Sequence, residues 1–487
     1  MLVHSWTRLP RASRRKIHPT HFLAIGTAML LSACQSFSTD GGMSLVADVT
    51  AREIRKDVAV LQTSEQAAAA HARVEQLLRR PLTADAAVQI ALLNNRFLQA
   101  AYNELGLAEV AAVQASLPPN PTVSIMRMSS APEIELERRI IANILALATL
   151  PTRATIAADR FRQAQLRAID ETLRLSNETR RAFYRAVAAR ELVFILDQAK
   201  SAASHATELT LRLGQSGTIS KLDQTREQAF ATEITAQLAT LRQQALSERE
   251  RLVRLLGLWG TDLAFKIPDA LPALPMRPLT LPLVEADAVK KRVDLRVARI
   301  ELEALSKSYG LTQATRFINM LEVAGIDKKI QERETEKTTH MRGYELEFQI
   351  PIFDFGEVRV RQAEQLYMQS VNRLMEKAVN ARSEARDAYR VYRSTYDIAS
   401  YYRRDVLPLR QVLYSETLTR YGEMQVDAFA LLTETRQRAS ARMAAAEARR
   451  NFLLATVDLD AAVLGGGSPA GGEGSRTASA SDGAGMR

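Results

Sequence analysis

Two long stretches of the chain contain neither glycine nor proline and carry a helical pattern, residues 152–213 and residues 357–407. In the second, Val371, Leu374 and Ala378 begin an apolar stripe at three- and four-residue spacing. This spacing places apolar side chains on one face of a helix. The pattern predicts two very long helices, with a kink at Pro408 in the second. A run of about 60 residues spans roughly 90 Å.

Shorter helical patterns flank each long one. They cover about Leu82–Leu117 and Leu283–Thr315 before the long helices, and about Ser220–Leu256 and Val426–Leu464 after them. The apolar stripes are narrow and rich in alanine, which favours close, coiled-coil-like packing. The two shorter helices of each half together roughly equal the long one. They can therefore stack end to end along it.

Four segments have the pattern of strands. In Gly343–Phe353, apolar residues alternate with Glu345, Glu347 and Gln349 over about ten residues, the length of a tilted strand that crosses a bilayer. We expect its partner strand at Arg316–Ile326, an exposed charged loop at Asp327–Arg342, and a first hairpin built of strand Pro121–Met128, a charged connection Pro132–Arg139 and return strand Ile140–Leu150.

Four strands cannot close a transmembrane barrel, because about eight are the practical minimum and an open edge is forbidden in lipid. If these strands cross a membrane, several copies must share one barrel. The alternative is a pair of amphipathic hairpins packed on a soluble core.

The order of features repeats along the chain. Asn95–Leu105 matches Arg292–Leu302, and the break at Gly217 falls opposite the break at Gly422. An offset near 200 residues indicates a duplicated unit rather than a short-period solenoid. The predicted domains are a first repeat at 82–265, a proline-rich linker at 266–282, a second repeat at 283–464 and a disordered tail at 465–487.

The amino-terminal region has the pattern of an export signal. A basic stretch is followed by a ten-residue apolar run and by Leu31-Ser32-Ala33-Cys34. This run resembles a bacterial lipobox, which implies a signal peptide at 1–33, acylation of Cys34 and a lipidated segment at 34–81. The alternative is a free thiol after an ordinary signal peptide. Gln35 takes the place of the usual inner-membrane retention residue, which favours the outer membrane.

Composition narrows the chemistry. The chain has 487 residues and a formal charge of +10, of which residues 1–33 carry +5 without any acid. The remaining +5 is spread over a long chain and indicates no nucleic-acid partner. One cysteine and six scattered histidines predict no metal site and no cofactor. No phosphate-binding loop, nucleophile motif or triad is present, so no enzyme is expected.

The chain resembles the TolC-like outer-membrane factor family, lipoprotein type, over roughly residues 80–464. The resemblance is carried by Pro351-Ile352-Phe353-Asp354-Phe355-Gly356 with the following Arg359, Arg361, Ala363 and Glu364, by Arg292, Asp294 and Leu295, and by Gly217-Thr218-Ile219-Ser220. It implies a mainly α fold of long coiled-coil hairpins forming a tunnel. It also implies a homotrimer with a 12-stranded barrel.

The family implies a passive outer-membrane channel of a tripartite efflux or type I secretion system, with a periplasmic adaptor, an inner-membrane transporter and outer-membrane lipid as partners. The residues expected to act are the adaptor-docking tips Gly217, Thr218, Ile219, Ser220, Gly422, Glu423, Met424 and Gln425, the barrel-lumen residues Glu345, Glu347 and Gln349, and a possible gate at Asp427. The alternative is a coiled-coil structural lipoprotein or an adaptor, without a pore. The cargo stays open among drugs, metal ions and proteins.

Overall fold

The computed structural model describes residues 37–216 and 220–467. The predicted signal peptide, Cys34 and most of the predicted tail lie outside these residues, as do Gly217, Thr218 and Ile219 of the first tip. The chain divides into two compact units. The sheet unit contains residues 110–157 and 318–351, and the helical unit contains residues 40–109, 158–317 and 352–467.

Helices dominate both halves of the chain. In the first half they are α1 (Met43–Ile54), α2 (Ser64–Leu78), α3 (Ala84–Asn94), α4 (Arg96–Ser116), α5 (Ile144–Gln215) and α6 (Lys221–Leu256), followed by a 3₁₀ turn at Gly260–Ala264. In the second half they are α7 (Val284–Lys291), α8 (Val293–Ala314), α9 (Glu357–Tyr401), α10 (Leu407–Gly422) and α11 (Ala428–Leu464). Each predicted helical pattern therefore forms helix, and α5 runs for 72 residues.

The interruption predicted at Pro408 is present. Tyr402–Val406 form one turn of π-helix between α9 and α10, and Pro408 stands at the start of α10. Proline has no backbone N–H to donate to the preceding turn, so the wider turn accommodates it. Pro151 lies inside α5 without such a break.

The first helix pair of each repeat breaks at one residue. Asn95 separates α3 from α4 with a ψ of 119°, and Arg292 separates α7 from α8 with a ψ of 124°. Both ψ values belong to extended backbone rather than helix. The sequence match that aligned Asn95 with Arg292 thus has a structural counterpart.

The core of the helical unit joins elements from both halves. Its largest fully buried side chains include Leu92, Leu98, Leu166, Ile169, Leu252, Leu256, Leu295 and Tyr392. The proline-rich linker packs on this core, because the Tyr392 hydroxyl accepts a hydrogen bond from Leu279 N at 2.9 Å and the Tyr396 hydroxyl donates to Met276 O at 2.8 Å. Gly465 and Gly466 are also buried, so the chain stays packed beyond α11.

The sheet unit holds four antiparallel strands in the order β1 (Thr122–Ser129), β2 (Glu133–Asn143), β3 (Met320–Glu332) and β4 (Thr338–Gln349). Three segment predictions were wrong. The predicted return strand Ile140–Leu150 is strand only as far as Asn143, and its remaining residues form the first turns of α5. The charged connection Pro132–Arg139 is mostly strand β2, and β2 ends at Asn143, whose side chain accepts a hydrogen bond from Ala146 N at 2.7 Å and starts α5. The predicted loop Asp327–Arg342 is mostly strand, with a turn of only five residues between β3 and β4. Cross-strand pairing outweighs the loop-like composition of both segments.

Candidate functional site

The two faces of the sheet differ in chemistry. Residues that pair directly across antiparallel strands share a face, so the register assigns every strand residue. The acidic face carries Glu133, Glu135, Glu137, Glu322, Glu332, Glu345 and Glu347, with Arg139 and Lys328 as its cations. The apolar face carries Val123, Ile125, Ile140, Leu321, Val323, Tyr344, Leu346 and Phe348.

Carboxylates on the acidic face outnumber the cations that pair with them. Lys328 Nζ lies 2.8 Å from Glu135 Oε1, and Arg139 bonds to Glu137 and lies 3.2 Å from Glu345 Oε2. Glu322 stands directly opposite Glu347 in the register. Like charges opposite each other destabilise a strand pair. The face therefore keeps a concentrated negative charge at a local cost in stability.

Asn143 is the neutral partner of this charge. Its Nδ2 atom donates to Glu322 Oε1 at 3.2 Å, and it faces Glu322 in the register. The structure places the predicted residues Glu345, Glu347 and Gln349 on this same face. Their role in a lumen stays a prediction.

Sequence reasoning missed Glu133, Glu135, Glu137 and Glu332 as members of this face, and it did not assign Glu322 to either face. Glu133, Glu135 and Glu137 alternate with Ile134, Leu136 and Arg138, which is a strand pattern. Because Pro132–Arg139 was interpreted as a charged connection, this strand pattern was not recognised.

At both tips of the helical unit, a side chain caps the helix that follows. At the first tip, Ser220 Oγ accepts a hydrogen bond from Asp223 N at 3.2 Å and caps α6. At the second tip, Asp427 Oδ1 accepts from Ala430 N at 2.8 Å and caps α11. A capping side chain satisfies a backbone N–H that the first turn of a helix leaves free. The residue named as a possible gate thus has a structural task.

The second tip presents an exposed apolar side chain. Met424 is 94% exposed and has a positive φ of 59°. The turn is held by Met424 N donating to Tyr421 O at 3.0 Å and Gln425 N donating to Arg420 O at 2.9 Å. Gln425 Nε2 also donates to Glu423 Oε2 at 2.8 Å. The predicted residues Gly422, Glu423, Met424 and Gln425 therefore form one ordered surface turn.

A buried carboxylate near the start of α6 was not predicted. Glu227 is only 3% exposed, and neither of its carboxylate oxygens has a hydrogen-bond partner in the described part of the chain. Burial raises the pKa of Glu227, and the attraction of Arg436 on α11 opposes this. The Arg436 guanidinium lies 3.3 Å from the centroid of the Phe230 ring. The local sequence is that of an exposed helix and gives no sign of this burial.

A cavity lies beside this pair, between α5, α6 and α11. Its volume is about 400 Å³, and its lining includes Leu196, Ala203, Phe230, Ile234, Arg436 and Met443. The helices therefore pack loosely here, within a few turns of both tips.

Residues 37–216 and 220–467 contain no cluster of three or more His, Cys, Asp or Glu side chains arranged to hold a metal ion. Within the same ranges, no helix combines the length and the hydropathy that a membrane span requires.

Comparisons with known proteins agree with this architecture. No protein-family model matches the chain. A relative described as the cobalt-zinc-cadmium resistance protein CzcC of Cupriavidus metallidurans is 24% identical over 286 residues, which cover 56% of this chain. The chain spans about 64% of that relative's length.

Solved structures match over a larger part of the chain. CusC, described as forming a transmembrane channel, has a TM-score of 0.65 at 17% identity and covers 81% of this chain and 92% of its own. The outer-membrane protein VceC of Vibrio cholerae has a TM-score of 0.65 at 14% identity and covers 81% and 96%. The chain thus has the fold of the outer-membrane efflux channels, as its sequence resemblance predicted.

Proposed function

We propose that this chain is the subunit of an outer-membrane exit channel that serves a tripartite efflux or type I secretion system. The sheet carries the proposal. It has an apolar face opposite an acidic face, and within the described residues β1 and β4 each have one edge without a strand partner. In lipid, every backbone N–H and C=O needs a partner inside the protein, so a sheet with open edges cannot stay alone there.

A homotrimer satisfies this requirement. If β1 of one copy pairs with β4 of the next, three copies give twelve strands and close the sheet with its apolar face outward. Twelve strands exceed the roughly eight at which side chains fill a barrel, so a water-filled lumen is expected. The long helix hairpins of three copies then form a tunnel. The fold shared with CusC and VceC supports this assembly.

The acidic face would line the lumen and favour cations. Seven carboxylates against two cations leave a net charge of about −5 per copy, which raises the local concentration of cations. The similarity to a protein named for cobalt, zinc and cadmium resistance supports a cation cargo. No catalytic step is needed, because conduction is passive.

Conductance in planar bilayers tests the function. Purified protein is expected to give discrete conductance steps, with a reversal potential in a KCl gradient that is shifted toward that of K⁺. Silent bilayers at high protein load, or a protein that is a monomer in mild detergent, would contradict the channel.

Charge removal tests the cation preference. The double variant E345Q/E347Q should move the reversal potential toward zero while conductance steps persist. The matched control E65Q/E75Q removes two carboxylates from α2 and should leave the reversal potential unchanged. Equal shifts in both variants would show that the acidic face does not set selectivity.

The tips would dock a periplasmic adaptor, through Gly217–Ser220 at the first tip and Gly422–Gln425 at the second. Exposed Met424 supports an apolar contact there. A photocrosslinker at Ser220 or Met424 should capture an adaptor in intact cells, whereas one at Arg73 on α2 should not.

Acylation of Cys34 would hold the chain at the outer membrane, and a C34A variant retained in the membrane by its barrel alone would separate anchoring from insertion.

A further inference from the structure

The apolar face changes character along the strands. The register places Tyr344, Gly325, Ile140 and Val123 in one cross-strand row. Two residues further toward the β3–β4 turn, the next row on the same face contains Arg342, Asp327, Arg138 and Ile125, and the row after it contains His340, Lys329, Leu136 and Arg127. We name these two rows the cationic rows.

The cationic rows contain more positive than negative charge. Arg127, Arg138, Lys329 and Arg342 face a single carboxylate, Asp327. Asp327 is shared, with Oδ1 at 3.5 Å from Arg342 Nε and Oδ2 at 4.0 Å from Arg138 Nη1. Arg127 and Lys329 form no ion pair within residues 37–216 and 220–467. The rows therefore have unused capacity for an anion.

No nearby segment supplies that anion. The turn between β3 and β4 carries Arg333, Glu334, Glu336 and Lys337, whose charges cancel. On the opposite, acidic face at the same height, Lys328 and Arg139 are already paired with Glu135 and Glu137. The surplus of cations is thus specific to the face that is apolar elsewhere.

Position along the strand limits where these side chains can stand. A charge on the lipid side of a barrel is costly at the centre of the bilayer and nearly free at its surface. The cationic rows adjoin an apolar row, so they mark the level at which lipid tails give way to headgroups. At that level the most abundant anions are the phosphate groups of lipids.

We propose that Arg127, Arg138, Lys329 and Arg342 form a binding surface for the phosphate groups of membrane-lipid headgroups. The proposal rests on the proposed function, because it takes the apolar face to meet lipid. Adjacent strands are about 4.8 Å apart and successive rows on one face about 7 Å apart, so the four cations can contact more than one phosphate at once. Arginine binds phosphate through two parallel N–H donors, which suits Arg138 and Arg342.

The test measures lipid retention by native mass spectrometry of the delipidated channel, titrated with a diphosphorylated glycolipid, its monophosphorylated form or phosphatidylcholine. The variant R127Q/K329Q removes the two cations without ion pairs and leaves both neighbours of Asp327. Its affinity for the diphosphorylated lipid should fall roughly 25-fold, on the basis of about fivefold for each cation near an anionic headgroup. The control K328Q/K337Q removes one cation from the acidic face and one from the turn, and should retain the lipid like the unaltered protein.

Three outcomes would overturn the proposal. These are equal retention by R127Q/K329Q and the control, equal retention of phosphatidylcholine and the diphosphorylated lipid, and full displacement of the lipid by millimolar inorganic phosphate, which would indicate a site for free anions. Conductance recorded on the same preparations separates this proposal from the proposed function. If R127Q/K329Q conducts and retains lipid normally, only the headgroup proposal is contradicted. If the unaltered protein never conducts, the proposed channel function is contradicted.

Discussion

The two repeats stabilise the same helix break with different interactions. In the first repeat, the helix break at Asn95 is held by amide hydrogen bonds: Asn95 Nδ2 donates to Leu255 O at 2.9 Å, and Asn95 Oδ1 accepts from Leu98 N at 3.2 Å. In the second, Arg292 donates to both carboxylate oxygens of Asp294, at 3.0 and 2.8 Å, and also bonds to Glu384. The duplication has kept the backbone shape and replaced the interactions that hold it.

The same contrast recurs near the tips. Glu227 is the seventh residue of α6 and Glu434 is the seventh residue of α11. Glu434 pairs with Arg410 at 3.2 Å, whereas Glu227 is buried without a hydrogen bond. Equivalent positions in the two repeats therefore differ in how well their charges are compensated. Variants at paired positions can test this difference.

The largest effect is expected at two glycines that follow the last helix of a repeat, Gly257 as the C-cap of α6 and Gly466 two residues beyond the end of α11. Gly257 has a φ of +66°, and a Cβ there would lie 2.8 Å from Asn94 O. Gly466 has a φ of +67°, and a Cβ there would lie 2.5 Å from Arg174 N. G257A and G466A should each lower the free energy of unfolding by about 3 kcal/mol, measured by denaturant titration in detergent.

Gly260 is the matched control for these glycines. It has a φ of +63° with open space around its Cβ position, so G260A should cost only about 1 kcal/mol. A similar loss for all three variants would show that backbone strain, not close approach, fixes these glycines.

The helix breaks should differ in their response to salt. N95A removes two hydrogen bonds at a buried residue and should cost about 2 kcal/mol at any salt concentration. R292Q removes an ion network, so its cost should shrink between 0.05 and about 1 M NaCl because salt screens charge. Unfolding titrations at both salt concentrations measure this. If the stability losses of N95A and R292Q depend on salt in the same way, the two breaks are not held by different kinds of interaction.

The buried and paired glutamates should respond in opposite directions. Burial raises the pKa of Glu227, so its charged form destabilises the fold at neutral pH. E227Q should therefore stabilise the protein by up to about 1 kcal/mol at pH 7, and the gain should vanish as the pH falls below the ordinary value of 4.5. E434Q, which loses the contact with Arg410, should destabilise by about 0.5 kcal/mol. Melting temperatures at pH 7 and pH 4 measure both effects.

The smallest effects are expected at the helix caps of the tips. S220A and D427A each remove one capping hydrogen bond and should cost about 0.5 to 1 kcal/mol. If Asp427 only caps α11, both variants should conduct alike in bilayers. A much larger change of conductance in D427A than in S220A would support its predicted role as a gate.

The helices could be predicted closely because their signals are local. The absence of glycine and proline over residues 152–213 and 357–407 predicted the long helices. The breaks at Asn95 and Arg292 were not predicted, because the patterns Leu82–Leu117 and Leu283–Thr315 each indicated one continuous helix. Pro408 predicted the helix irregularity at its own position, because a missing backbone N–H disturbs a helix in any surroundings.

The strands and the buried charge could not be predicted in the same way. Glu135 and Asp327 have the composition of a loop, and only the neighbouring strands place them in a sheet. Glu227 looks like a surface residue of α6, and its burial depends on packing against α11, which carries Arg436 and which a local pattern cannot bring to α6. Long-range packing decided each of these positions.

The unpartnered edges of β1 and β4 have a genetic consequence. In the proposed ring of three, every subunit supplies one β1 edge and one β4 edge, so a copy with one damaged edge leaves one seam of the barrel without its strand pairing. Random mixing of equal amounts of sound and faulty chains would leave about one ring in eight intact. An allele that damages one edge of the sheet should therefore be dominant-negative in cells that also make the normal chain.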